Sequence, residues 1–189
     1  MDFENDIIDC LEVLSHGGTI LYPTDTIWGI GCDATNPSAV KKIYEIKQRP
    51  ESKSLIVLLA DPRDINGYVS RPEPYIFDYL QTVTRPTTVI YEGAVRLAEN
   101  LIAADGSVAI RVVKENFCRH LIRRFRKPLV SSSANISGKQ TPGIFSEIPP
   151  EIRDAVDYVV RYRQTDDEPA VASTMVRFNK LGELQVLRQ

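Results

Sequence analysis

Four short stretches of this chain carry residue types that handle anions. In the first, Tyr22-Pro23-Thr24-Asp25-Thr26-Ile27-Trp28-Gly29-Ile30-Gly31, an apolar run gives way to small polar side chains beside two glycines. Such a stretch is costly for a core and cheap beside a ligand, because hydroxyls need partners and glycine lets a backbone come close. The second, Lys47-Gln48-Arg49-Pro50-Glu51-Ser52-Lys53, holds three cations within seven residues. The helix dipole accounts for Lys47 alone. Arg49 and Lys53 fall beyond the helix, where a guanidinium fork and an ammonium suit phosphate oxygens. The third stretch runs from Pro128-Leu129-Val130 into Ser131, Ser132, Ser133, Asn135 and Ser137 before Gly138. Turn chemistry explains two or three of these polar residues; five point to donors at the carboxyl edge of a sheet, where open α/β proteins bind ligands. The fourth is basic: Arg111, Lys114, Arg119, His120, Arg123, Arg124, Arg126 and Lys127 stand against a single Glu115. It reads equally as a solvated helix face and as a surface for RNA phosphates. Phe117 and Phe125 fall on its apolar side, away from any base.

Other chemistries lack their residues. Gly29-Ile30-Gly31-Cys32-Asp33-Ala34 matches a dinucleotide fingerprint, but Gly29 lies seven positions after Tyr22, and the helix cap comes later, at Asn36. No G-x-x-x-x-G-K-[ST] loop and no G-x-S-x-G elbow is present, and the two histidines, His16 and His120, are scattered and read as surface residues. Cys10, Cys32 and Cys118 form no Cys-x-x-Cys pair and read as buried thiols of a reducing cytoplasm.

The elements that must position these stretches follow from periodicity. Phe3, Ile7, Leu11 and Leu14 predict an amphipathic helix stopped at His16-Gly17-Gly18, followed by a strand over residues 19–22 and a long loop to Asn36-Pro37. Asn36 caps a helix that ends before Pro50, and residues 55–59 form a buried strand. A short helix starts at Asp61-Pro62, and further helices are expected over 72–83, near 97–101, around 117–125 and over 150–156. Strands are expected over 87–91, 108–112, 129–131, 158–162, 174–178 and 184–187, the last two joined by Lys180-Leu181-Gly182. Residues 164–169 read as a surface loop. The expected fold class is α/β, a mixed sheet with flanking helices in a single domain over residues 1–189, in keeping with 43% hydrophobic and 25% charged composition. The net charge of −2 sets up no global field toward nucleic acid, so a polyanion site must be local. The acidic N-terminus and a longest apolar run of only residues 55–60 predict a soluble cytoplasmic protein with no membrane partner.

In order and spacing, Tyr22 to Ala34, Lys47-Gln48-Arg49-Pro50, Val108-Ala109-Ile110-Arg111 and Ser131 to Gly138 resemble the threonylcarbamoyl-AMP synthases, the YrdC-like domain, from about Gly18 to Arg188. The resemblance implies a twisted mixed α/β sheet around a positively charged cavity. It also implies an enzyme that condenses L-threonine, bicarbonate and ATP to threonylcarbamoyl-AMP and pyrophosphate, a nucleotidyltransferase step toward N6-threonylcarbamoyladenosine at position 37 of tRNA. By that analogy Thr26 touches threonine, Arg111 holds its carboxylate and Ser173 closes that end. Lys47 and Arg49, the implied catalytic cations, grip the triphosphate with Lys53. Ser107, Ser131, Ser133, Asn135 and Thr141 line the nucleotide and Arg188 covers it, with no protein metal site. Magnesium rides on the ATP phosphates. Possible partners are tRNA and downstream threonylcarbamoyl-transfer proteins. The alternatives are a tRNA or double-stranded RNA binding module without turnover, working through the basic helix 115–127, and a relative making a different carbamoyl adenylate. The chain departs from the family at Thr84-Arg85-Pro86, where Pro-Gly-Pro is usual, and at Ser54 and Leu58. Arginine does not take glycine's angles cheaply, so the turn at Arg85 is expected to differ.

Overall fold

Ile7, Cys10 and Leu14 recur at helical spacing and are all buried, which turns α1 (Glu4–Ser15) onto the rest of the molecule. The computed structural model describes residues 2–189. Gly17 ends the helix at φ 71°, and β1 (Ile20–Tyr22) follows. The stretch expected to be a loop then contains β2 (Gly29–Gly31), paired antiparallel to β1 with Tyr22 opposite Gly29 and Ile20 opposite Gly31. Gly-Ile-Gly carries no strand signature, yet the glycines are what let the strand fit. A Cβ on Gly31 would lie 2.1 Å from the Val130 carbonyl and 2.7 Å from the Tyr22 ring. Tyr22 uses that space to donate from its hydroxyl to Val130 O at 2.9 Å.

Asn36 Oδ1 accepts from the Ser38 and Ala39 N–H groups at 3.0 and 3.2 Å, and with Pro37 at the first position it starts α2 (Pro37–Ile46). Then come β3 (Ile56–Leu59), a 3-10 turn at Pro62–Asp64, α3 (Ile65–Tyr68), α4 (Pro74–Thr82), β4 (Thr87–Tyr91) and β5 (Val108–Val112). The chain continues through α5 (Asn116–Phe125), β6 (Leu129–Ser133), α6 (Pro150–Arg153), β7 (Tyr158–Val159), β8 (Thr174–Phe178) and β9 (Leu184–Arg188). Arg85 is absent from the residues at positive φ, so the turn before β4 is not the glycine turn.

Four expected elements change length, two of them through a specific contact. The helix near 97–101 shrinks to a 3-10 turn, Glu99–Leu101. The strand expected over 158–162 pairs only through Val159, because the buried Asp6 carboxylate captures the Arg161 and Tyr162 N–H groups at 3.0 and 2.9 Å. β6 runs two residues beyond expectation, to Ser133, because Ile30 and Gly29 give Ser132 and Ser133 ladder partners. The helix expected over 150–156 stops at Arg153.

The strands form one twisted mixed sheet in the order β7-β1-β2-β6-β3-β5-β4-β8-β9. β3 runs parallel to β5 and antiparallel to β6, and β8 runs parallel to β4. Helices flank the sheet, with Phe3 of the N-terminal turn and Phe117 of α5 meeting edge to face at 5.7 Å between ring centroids. Cys10, Cys32 and Cys118 are buried free thiols, and burial pushes all three up. Among the described residues no helix is long and apolar enough to cross a membrane.

Candidate active site

Because β3 and β6 are antiparallel, the start of one and the end of the other lie at the same edge of the sheet. At that edge a cavity of about 180 Å³ is lined by Thr26, Trp28 and Gly29 from the first stretch, Arg49 and Ser54 from the second, and Ser131 to Ser133 from the third. Arg111 of β5, Thr141, Ser173, Met175 of β8 and Arg188 of β9 complete the wall. Eight of the twelve residues singled out in the sequence therefore share one hollow: Thr26, Arg49, Arg111, Ser131, Ser133, Thr141, Ser173 and Arg188. Three of the lining residues are arginines and none is a carboxylate.

Thr24 shapes the turn beneath. Its hydroxyl accepts from the Thr26 N–H at 3.0 Å, donates to Ile27 O at 2.9 Å and accepts from Arg111 Nη2 at 3.3 Å. Arg111 Nε and Asp25 Oδ1 form an ion pair at 3.3 Å, with side chains 4% and 9% exposed. Arg163, held at φ 66°, donates to Thr24 O at 3.0 Å and bonds the Asp166 carboxylate at 2.6 Å, so part of the expected surface loop is latched to the site turn. Thr24, Asp25 and Arg163 were not among the sequence candidates. Thr24 and Asp25 stood in the quoted motif, whereas nothing local marks Arg163.

The other walls are positioned as closely. Arg49 donates from Nε to Lys53 O at 3.1 Å and from Nη2 to Ser54 O at 2.9 Å, and burial lowers its pKa. Arg188 reaches Ser173 O from Nε and Nη2 at 3.2 and 3.0 Å; burial and then the Arg111 charge lower it in turn. Ser173 Oγ lies 2.8 Å from Thr88 Oγ1.

Four candidates lie outside this lining. Lys47 is 1% exposed and donates from Nζ to Ser133 O and, at 2.7 Å, to Asn135 O. Its own carbonyl accepts from the Ser137 N–H at 2.8 Å. Lys47 thus ties α2 to the loop after β6 from behind the wall; burial first, and the Arg49 charge second, push its ammonium down to about 7. Asn135 is buried and donates to Ile136 O and Lys139 O at 3.1 and 2.7 Å. Ser107 donates to Asp105 at 2.6 Å, and Lys53 is exposed, with its carbonyl taken by Arg49. In the basic helix, Arg124 pairs with Glu4 and Lys127 with Asp33, whereas Arg119 and Arg123 have no carboxylate partner among the described residues.

Comparison with known proteins adds four likenesses. A family model for Sua5/YciO/YrdC, described as "Telomere recombination", matches residues 12–189. A threonylcarbamoyl-AMP synthase of Pseudoalteromonas translucida (strain TAC 125) is 30% identical over 177 residues, covering 92% of this chain and 91% of the relative. The crystal structure of P. abyssi Sua5 complexed with L-threonine gives a TM-score of 0.86 at 22% identity; the match covers 98% of this chain but 54% of that one, so this chain spans about half its length. E. coli YciO gives a TM-score of 0.81 at 19% identity, covering 98% of this chain and 89% of that one.

Proposed function

The chain belongs to the Sua5/YciO/YrdC family, and on that premise we propose that it is an L-threonylcarbamoyladenylate synthase, a nucleotidyltransferase acting in tRNA modification. The observation that carries the reading is the meeting of Thr26, Arg49, Arg111 and Ser133, from four separate stretches of chain, in one cavity without a carboxylate in its wall. Curated relatives over most of the chain bear the synthase name, which disfavours an RNA-binding module without turnover.

The reaction gathers anions. The threonine amine attacks bicarbonate carbon and water leaves to give a carbamate, a carbamate oxygen attacks the α-phosphorus of ATP, and pyrophosphate leaves with the bonding electron pair. Like charges repel strongly in a half-dry hollow, so fixed guanidinium and hydroxyl donors stabilise the transition state most where charge shifts. Thr26, Arg111 and Ser173 receive threonine, and Arg111 is held in place for its carboxylate by Asp25 and Thr24. Arg49 and Lys53 face the triphosphate. Lys47 acts from behind the wall, fixing the carbonyls of Ser133 and Asn135 and with them the hydroxyl-rich strand end. The Ser131, Ser133 and Thr141 hydroxyls serve the nucleotide, with Ser107 and Asn135 supporting from outside the cavity wall, and Arg188 closes over it. Magnesium, carried on the phosphates, neutralises part of their charge; hydroxyl oxygens at the cavity are hard donors that suit it. Holding three reactants together supplies much of the remaining acceleration, up to ~7–11 kcal/mol for a well-oriented encounter. The whole of residues 1–189 serves as one catalytic domain, in the cytoplasm, handing its adenylate to a threonylcarbamoyl-transfer protein.

The test is pyrophosphate release measured with each reactant omitted in turn. Release is expected only with ATP, magnesium, threonine and bicarbonate together; release indifferent to threonine overturns the reading.

A further inference from the structure

The other end of the same two strands is also hollow. Where β3 leaves the sheet at Leu59-Ala60 and β6 begins after Pro128, a cavity of about 480 Å³ opens, larger than the candidate active site. Arg63, Arg96, Arg123, Arg126 and Lys127 line it, with Asp64 as the one carboxylate. Two of these cations are already matched: Arg63 forms a two-point pair with Asp61 at 2.9 and 2.8 Å, and Lys127 pairs with Asp33 at 2.6 Å. Arg96, Arg123 and Arg126 have no carboxylate partner among the described residues.

Two of those three sit in backbone conformations that arginine rarely adopts. Arg96 has φ 56° and Arg126 has φ 60°, the left-handed region that normally selects glycine or asparagine. Arg126 occupies the position where α5 ends, its N–H bonded to Ile122 O at 2.8 Å, and a glycine would close the helix there with less strain. Helix-end electrostatics accounts for a cation at Arg123, but Arg96 is on no helix and gains nothing from a dipole. Strained residues persist where the side chain has a use. Arg96, Arg123 and Arg126 are exposed around one concave space, where an anion can meet more than one guanidinium at once.

The cavity also offers more than charge. Tyr68 presents an aromatic ring and Leu59 and Ile122 an apolar floor, while Asp64 supplies an acceptor for a hydroxyl or amino group. We propose that this cavity is a second ligand site, separate from the candidate active site, that binds a small phosphate ester with a ring-bearing organic body, a nucleoside monophosphate being the simplest member. The arginines take the phosphate, Tyr68 and the floor take the ring, and Asp64 takes a hydroxyl. The concave shape and apolar floor favour such a ligand over an RNA backbone, which needs spaced cations on an open face.

The experiment is an amide chemical-shift titration of the full chain with AMP, with inorganic phosphate and, separately, with a short RNA duplex. Saturable AMP shifts are expected at residues 63–68, 96 and 122–127, with inorganic phosphate binding at least ten-fold more weakly. The double variant Arg123→Ala/Arg126→Gly should weaken AMP binding there at least ten-fold. Arg126→Gly alone should melt at or above the wild-type temperature, so lost binding is not lost folding. Equal affinity for phosphate and AMP, shifts with the duplex but not with AMP, or no shifts in these segments each overturn the proposal. Shifts around Thr26 and Ser133 report only the first site, so the two readings fail separately.

Discussion

Arg111 of the cavity wall and Asp25 behind it meet as an ion pair at 3.3 Å, their side chains 4% and 9% exposed. A buried pair of this kind stabilises little compared with an apolar replacement, but losing one partner strands a charge. Asp25→Asn should therefore destabilise the fold by roughly 3–5 kcal/mol in urea unfolding. Arg111→Met should cost a comparable amount. The double variant should lose clearly less than the sum, and strict additivity would show that the two groups do not interact.

Arg49 is only half-buried and held by two backbone carbonyls, Lys53 O and Ser54 O. Arg49→Ala should change stability by less than about 1 kcal/mol, as for other partly exposed charges. If Arg49 faces the phosphates, the same change should lower kcat for pyrophosphate release by ~10²–10³. Normal turnover in this variant would remove Arg49 from the phosphate site.

The two glycines of β2 should not tolerate alanine equally. A methyl on Gly31 meets the Val130 carbonyl at 2.1 Å, a backbone atom that cannot turn aside. On Gly29 the nearest atom is Ser131 Oγ at 2.8 Å, which can rotate away. Gly31→Ala should cost more than about 3 kcal/mol and Gly29→Ala about 1–2 kcal/mol, as overpacking does. Thermal melting of both variants decides the order, and equal losses would refute the packing argument.

Lys47 gives a pH signature. Its ammonium titrates near 10.5 when unfolded and is pushed down to about 7 in the native chain. Between those values the unfolded chain holds the extra proton, so native stability rises with pH; below about 7 the cost of burying the charge is fully present. The stability of the wild type relative to Lys47→Met, followed by denaturant unfolding, should thus increase from pH 7 to pH 10. A flat difference would mean that the two carbonyls on Nζ hold the proton as tightly as water does.

What the sequence discloses and what it hides divide along physical lines. α1, α2 and α5 were legible because burial repeats at Ile7, Cys10 and Leu14, at Val40, Ile43 and Tyr44, and at Phe117, Leu121 and Ile122, and because Asn36-Pro37 is a cap written in local chemistry. β2 was hidden because Gly29 and Gly31 were chosen for what they do not fill, and that requirement comes from Val130 and Tyr22 across the sheet. β7 ended early for the sake of Asp6, a partner at the other end of the chain. In the site, hydroxyls and cations marked the stretches that hold Thr26, Arg49 and Ser133 by type, whereas Arg111, which by type fell in the basic stretch, was assigned to the site only through the family resemblance. The burial of Lys47 behind the wall and the latch of Arg163 on Thr24 depend on which way a side chain points, and no residue type encodes that.

The cavity at the β3 and β6 edge takes its wall from Thr26 at one extreme and from Arg188, in the last strand, at the other. During synthesis the polypeptide emerges from its N-terminus, and β8 and β9 can dock beside β4 only after the elements that precede them have left the ribosome. A chain still being translated therefore has the Thr26, Arg49 and Ser133 parts of the wall before it has Met175 and Arg188, and the hollow is completed only when the β8–β9 hairpin docks.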